Sequence, residues 1–368
     1  MKTKIMSLAA LAILGTAALT AQAQNVTIYG LLDQEVEHLN NVGASAASLT
    51  RLPGLAGTFP SRLGFRGSED LGDGLKAVFA LEMGMGLDSG TLNQGGRAWG
   101  RQAFVGLTGP WGAVTLGRQY SMLFWSQLDA DILGPNGFGS GSLDSYLPNA
   151  RVDNTIAYRG TFSGLTVGGT FSFGRDSVNA GPSPSGTNCA GENAADTSAC
   201  REWSAMAKYD TANWGVVAAV DEIRGGAGAF AGLTLSSMKD RRSTVAGWAK
   251  FGPDFKLGAG LIARKNDGSA TTPKSNLWYL GASYNLTPGF IVDGEVFKLD
   301  YKASANQATL FALRGTYQFS KRTAVYAMAG EIANDGTLTL GVSNAAAGAT
   351  PVAGGSQTGL AAGIRHAF

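Results

Sequence analysis

The sequence predicts an all-β chain that closes into a transmembrane antiparallel β-barrel of sixteen strands, and three observations carry that expectation. Segments of about ten residues alternate apolar and polar positions again and again, the weak but recurrent pattern of strands with one face to lipid and one to a wet lumen. The connections between them alternate in length, short and then long, along the chain. Glycine is abundant, at 53 of 368 residues, while proline stands at 11, a balance that favours many strands and turns over packed helices.

The first element is a leader. Lys2 and Lys4 precede an apolar run from Leu8 to Leu19, and Ala21-Gln22-Ala23 follows. A charged start, a short apolar stretch and a small-x-small site describe a secretory signal peptide, here residues 1–23, leaving 24–368 as the mature domain. The run holds about a dozen apolar residues, whereas a spanning helix needs roughly 20. No later segment reaches 18 consecutive apolar residues, so the rest of the chain offers no membrane helix. Loss of the leader removes two lysines and leaves 27 positive against 27 negative side chains. That balance gives no electrostatic reason to bind nucleic acid or anionic lipid.

Past the leader the short connections fall at 69–74, 108–112, 161–164, 210–213, 252–254, 286–289 and 320–321, and the long ones at 38–60, 85–97, 119–150, 174–201, 224–240, 265–275, 300–306 and 332–356. Seven short and eight long connections separate sixteen strands. In barrels of this kind the short side is periplasmic and the long side extracellular. Along 61–68, Leu63 and Phe65 alternate with Arg62, Gly64 and Arg66. Along 75–82, Leu75, Ala77, Phe79 and Leu81 oppose Lys76, Ala80 and Glu82. Along 151–158, Val152, Ile156 and Tyr158 oppose Arg151, Asp153 and Thr155. At the end of the chain Leu360, Ala362, Ile364 and Phe368 oppose Gly359, Gly363 and Arg365. Charges on the second face are the informative part, because a dry sandwich core does not hold unpaired arginine and a wet lumen does. Alternation around 101–107 leaves open which face Arg101 takes. Tyr29, Trp111, Trp214 and Phe368 are candidates for the aromatic girdles that mark membrane interfaces, or else ordinary strand residues.

Cys189 and Cys200 lie in a stretch rich in Gly, Ser, Asn, Asp and Pro. In an exported chain they are expected to form a disulfide inside one loop. Two cysteines with no nearby histidine do not make a metal site. Catalytic chemistry is equally thin. The two histidines, His38 and His366, sit beside no nucleophile signature. Gly226, Gly228 and Gly232 only approximate a phosphate loop, and no carboxylate pair stands out as acid and base. The expectation is no enzyme and no cofactor.

Four stretches go further: Val26-Thr27-Ile28-Tyr29-Gly30-Leu31-Leu32-Asp33; Ser61-Arg62-Leu63-Gly64-Phe65-Arg66-Gly67-Ser68-Glu69-Asp70-Leu71-Gly72-Asp73-Gly74; Arg101-Gln102-Ala103-Phe104-Val105-Gly106-Leu107 with Thr115-Leu116-Gly117-Arg118-Gln119; and the terminal Gly363-Ile364-Arg365-His366-Ala367-Phe368. With these the mature chain resembles, from end to end, the general trimeric porins of Gram-negative bacteria, in their betaproteobacterial and neisserial branch. The resemblance implies a homotrimer among outer-membrane lipid and lipopolysaccharide, passing ions and small hydrophilic solutes. It implies that the third long loop, 119–150, folds into the lumen and narrows it. It implies an arginine ladder on the wall opposite, at Arg62, Arg101 and Arg151, facing loop acids among Asp129, Asp131 and Asp144. The enteric Pro-Glu-Phe-Gly-Gly stretch of that loop is missing here, so the acids that face the pore stay open. Arg66 and Arg118 either add to the positive wall or pair with carboxylates at the rims, and Glu82 is a further lumen charge. Modest anion preference follows if the arginines outweigh the acids. A substrate-selective channel and a surface adhesin acting through the long loops are the other readings.

Overall fold

A computed structural model of the protein describes residues 25–55, 57–175, 188–189, 191–343 and 348–368. The leader expected at 1–23 lies outside the described residues. Seventeen strands form one sheet: β1 Asn25–Val42, β2 Ala47–Arg51, β3 Arg62–Gly72, β4 Leu75–Gly84, β5 Gln102–Gly109, β6 Gly112–Tyr120, β7 Arg151–Phe162, β8 Leu165–Ser172, β9 Glu202–Asp210, β10 Trp214–Arg224, β11 Lys239–Phe251, β12 Phe255–Asn266, β13 Lys274–Thr287, β14 Phe290–Tyr301, β15 Gln307–Gln318, β16 Thr323–Asn334 and β17 Ser356–Ala367.

These make the expected closed barrel of sixteen antiparallel strand positions, because β2 and β3 share one position. One half of β1 pairs with β3, from Asn25↔Ser68 to Leu31↔Arg62, and the other half with β2, from Glu37↔Arg51 to Val42↔Ala47. Residues 52–61 leave the wall between them. Pro53 and Pro60 bracket the excursion, and proline supplies no N–H to a ladder. Closure comes from β1 and β17, paired from Leu31↔Ala367 to Leu39↔Gly359. Beyond that ladder Gly30 and Phe368 exchange backbone hydrogen bonds, each of 3.1 Å. A Cβ on Gly30 would fall 2.2 Å from the Phe368 ring, so the terminal aromatic lies flat where position 30 has no side chain. A closed ladder leaves no edge for another chain to extend.

The seven tight connections sit at one end, at 73–74, 110–111, 163–164, 211–213, 252–254, 288–289 and 319–322. The first illustrates the chemistry: Asp73 and Gly74 both have positive φ, the Asp-Gly signature of a tight hairpin. Trp111, Phe162, Trp214, Phe251, Phe319 and Phe368 stand exposed around that end, as an interfacial girdle does. Tyr29 does not join them. Its hydroxyl donates to Glu82 at 3.0 Å and Arg66 lies over its ring, so it faces inward. Val152 also departs from simple alternation. Asn154 has φ 52° and the β6–β7 register shifts between Gly117 and Gln119. The extra residue resets the two-residue period, and Val152 is buried while Ile156 stays exposed. The loop between β8 and β9 contains the Cys189–Cys200 disulfide, with Cα atoms 5.7 Å apart.

Candidate constriction of the lumen

Residues 121–150, between β6 and β7, cross the barrel interior. The crossing segment starts with a one-and-a-half-turn helix, Met122–Gln127, whose first N–H donates to Ser204 Oγ on β9 at 2.8 Å. Its apolar residues Leu123, Phe138, Tyr146 and Leu147 are buried in one cluster with Phe297, Leu310 and Ile332 of the far wall. Polar contacts fasten it along the same side. Leu133 N donates to Glu295 on β14 at 2.7 Å, and Arg314 on β15 donates to Ile132 O at 3.4 Å. Phe138 N and Ser142 Oγ both donate to Val342 O in the last long loop, at 2.9 and 2.8 Å. Asn136 Nδ2 donates to Thr58 O at 2.7 Å. Thr58 belongs to the 52–61 excursion, which is itself fixed inward. Phe59 N donates to Asp33 at 3.0 Å and Gly57 N to Glu35 at 2.9 Å, while Tyr326 OH donates to both carboxylates, at 2.6 and 2.9 Å.

The loop acids are part of this fastening. Asp144 takes a two-point bond from Arg242, at 2.7 and 3.0 Å, and Arg242 also meets Asp240, which pairs with Arg264 at 2.6 Å. Asp129 pairs with Lys208. Asp131 accepts from Ser140 Oγ at 2.6 Å and from Gly134 N at 2.8 Å. Each carboxylate expected in the narrow section is thus spoken for by the loop itself or by the far wall.

The near wall, β3 to β7, holds the arginines expected there, in two chemically different settings. Arg101 precedes β5 and turns inward, donating to Glu82 at 2.7 Å and to Tyr120 OH at 2.8 Å. Arg151 donates to the same hydroxyl at 2.9 Å and lies over the Tyr120 ring, 4.6 Å from its centre. Arg118 pairs with Asp153 at 2.7 Å and donates to Gly100 O at 2.7 Å. Arg62 and Arg66 have no ion pair among the described residues; Arg62 lies 6.0 Å from the Phe59 ring centre and Arg66 lies 5.2 Å from that of Tyr29.

Several residues of the lumen lie outside the constriction set expected from the sequence. Arg159, on the inner face of β7, stacks on Trp125 of the loop with 4.0 Å between its Cζ and the ring centre. Arg365 of β17 lies 4.9 Å from the centre of the Phe59 ring. Neither forms an ion pair among the described residues, and Arg365 faces Asp33 across the β1–β17 ladder. Tyr120 and Phe124 stack at 3.8 Å, with Trp125 edge-on to both. Alternation of the last strand already set Arg365 on the inner face, and Arg159 could have been found the same way, since it occupies an inward position of β7. The loop aromatics could not, because an irregular segment has no period to read.

A family model for Gram-negative porins matches residues 7–337. Outer membrane porin protein 32 of Delftia acidovorans is 31% identical over 375 residues, covering 98% of this chain and 99% of that protein. A major outer membrane protein P.IB of Neisseria meningitidis is 40% identical over 110 residues, 28% of this chain and 30% of its own. The solved anion-selective porin from Comamonas acidovorans superposes with a TM-score of 0.70 at 26% identity, covering 94% of this chain and 100% of that one.

Proposed function

The chain belongs to the Gram-negative porin family, and from that premise we propose that it is a passive, weakly anion-selective channel of the outer membrane for ions and small hydrophilic solutes. The observation that carries the charge preference is the division of the arginines. The lumen acids named above are engaged by arginine, lysine, hydroxyl or backbone donors. Arg62, Arg66, Arg159 and Arg365 form no ion pair among the described residues and end instead on aromatic faces, which carry no compensating full charge. A solute in a narrow lumen with low-dielectric walls meets those charges with reduced screening. Anions gain from them and cations lose. The Comamonas relative, described as anion-selective, supports the same sign.

In this reading nothing is catalysed and no cofactor is held. Residues 1–23 are the export leader, and residues 121–150 narrow the pore. Assembly as a homotrimer is supported by the uneven outer surface. Val26, Ile28 and Val36 of β1, and Val105, Leu107, Val114 and Leu116 of β5 and β6, expose aliphatic side chains only. Apart from Trp111 in the β5–β6 turn, the exposed rings of the outer surface cluster from the end of β7 onward, including Trp203, Trp214, Trp278, Tyr284 and Phe311. An aliphatic face suits packing against a second copy, while aromatic rings suit lipid headgroups.

The test is a reversal potential for the purified, detergent-extracted protein in a planar bilayer under a potassium chloride gradient. Long-lived steps with a potential of the sign set by chloride are expected, closing in three equal steps at high voltage. A potential of the potassium sign would overturn the anion reading, and folded barrels that conduct nothing would overturn the channel reading.

A further inference from the structure

We propose that the constriction is a binding site for aromatic carboxylates, in which a guanidinium takes the carboxylate and the ring packs against Phe59 and Trp125, which line the same cavity. The proposal rests on the reading of the lumen as an anion-conducting pore and adds a ligand class to it.

Two cavities carry it. One, of about 380 Å³, is lined by Phe59, Arg62, Arg101, Phe124, Trp125 and Arg151, among others. The other, of about 520 Å³, reaches toward the short-turn end past Arg66 and Arg159. Both are lined by Gln102, Tyr120 and Trp125, so the route between them runs over those three side chains. Along it, charge and ring alternate: Arg365 and Arg62 flank Phe59, Arg151 covers Tyr120, Tyr120 stacks on Phe124, and Arg159 covers Trp125. Unmet hydrogen-bond donors lie on the same wall. Arg101 Nη1 and Arg151 Nε are buried and have no acceptor.

The chemistry follows from what each side of the passage offers. A small anion such as acetate can use only the guanidiniums. A saturated ring of similar size can also bury apolar surface but cannot lie flat against an indole or a phenyl face. A benzoate-like ion does both at once: its carboxylate accepts charge-assisted bonds from arginine, and its ring stacks on Phe59 or Trp125 in offset or edge-on contact. The guanidiniums over Tyr120 and Trp125, 4.6 and 4.0 Å from the ring centres, set positive charge beside those rings, where a bound carboxylate would meet it.

The experiment uses the full-length protein in a planar bilayer carrying chloride current. Sodium benzoate, cyclohexanecarboxylate and acetate are added in separate titrations, and the concentration that halves the chloride current is read for each. Benzoate is expected to act at roughly fivefold lower concentration than cyclohexanecarboxylate, the size of one aromatic contact, with acetate weakest. Trp125→Leu and Phe59→Leu, made separately so that one misfolded variant does not end the test, are each expected to bring the benzoate and cyclohexanecarboxylate values together. Phe311→Leu, on the outer surface, is expected to keep them apart. A chloride-preferring channel that treats benzoate and cyclohexanecarboxylate alike overturns this proposal alone. So does a benzoate preference that survives both lumen substitutions. A cation-preferring or closed barrel overturns the underlying channel reading instead.

Discussion

On the near wall of the lumen Arg62 and Arg159 end on the rings of Phe59 and Trp125, whereas on the far wall Arg242, Arg264 and Arg314 end on Asp144, Asp240 and Asp293. Both walls use arginine on the inner face of a strand. The difference lies in what each side chain meets. A carboxylate neutralises the charge and spends it on holding the crossing loop, while a ring supports the guanidinium's plane and leaves its charge to the water. Counting charged residues in the lumen would treat the walls as equal. The neighbours of each charge say which wall fastens and which selects.

The fastening wall is broken most severely by removing one partner of a buried pair. Asp144→Ala removes the two-point partner of Arg242, whose side chain is 2% exposed and is left with Asp240, already shared with Arg264, and is expected to cost up to about 3 kcal/mol of loop anchoring. Hydrogen exchange over residues 129–146 should rise by orders of magnitude and the open channel should become noisy. Unchanged protection would show that the pair is not an anchor. A middle-sized effect is expected from pH. Asp131 lies in the crossing loop, outside the strands, and burial pushes its carboxyl up to about 6. A free aspartate titrates near 3.9, so the anchored loop favours the protonated form. Its contribution is therefore full below about pH 4, declines as pH rises toward 6, and is absent above that. Channel noise should grow from pH 4 to 7, and Asp131→Asn should flatten the dependence; noise that falls over that range would contradict the sign. The smallest effect belongs to Lys208→Met. Lys208 and Asp129 are 20% and 40% exposed, and such a pair is worth about 0–1 kcal/mol, so loop protection should barely move.

The barrel was legible because its rules are periodic. Alternation along 61–68 and 359–368, and the rhythm of short and long connections, give the strand count and the inside face from residue type alone. Legibility fails where the period does. The extra residue at Asn154 moves Val152 from an apparent outer position into a buried one. The Pro53–Pro60 stretch reads as plain loop, though it supplies Phe59 to the pore and covers Asp33 and Glu35. Arg62, Arg101 and Arg151 were placed on one wall by their resemblance to a family pattern. Which of them carries free charge was not legible, because that depends on contacts no strand period announces: Glu82, 19 residues away, for Arg101, and Phe59 of the irregular stretch before β3 for Arg62. The acids of the loop show the same limit. Asp144 meets Arg242 across 98 residues of chain, and no local pattern announces that contact.

The division of labour between the walls is tested most directly by one pair of reversal potentials. Arg62→Gln, Arg159→Gln and Arg365→Gln combined remove three charges that rest on rings. Asp293→Asn with Arg314→Gln removes a charge already paired at 2.7 Å. Measured under the same chloride gradient, the triple variant should lose most of its anion preference and the double variant should keep it. The account is contradicted if the triple variant stays as anion-selective as the parent, or if the double variant shifts as far as the triple.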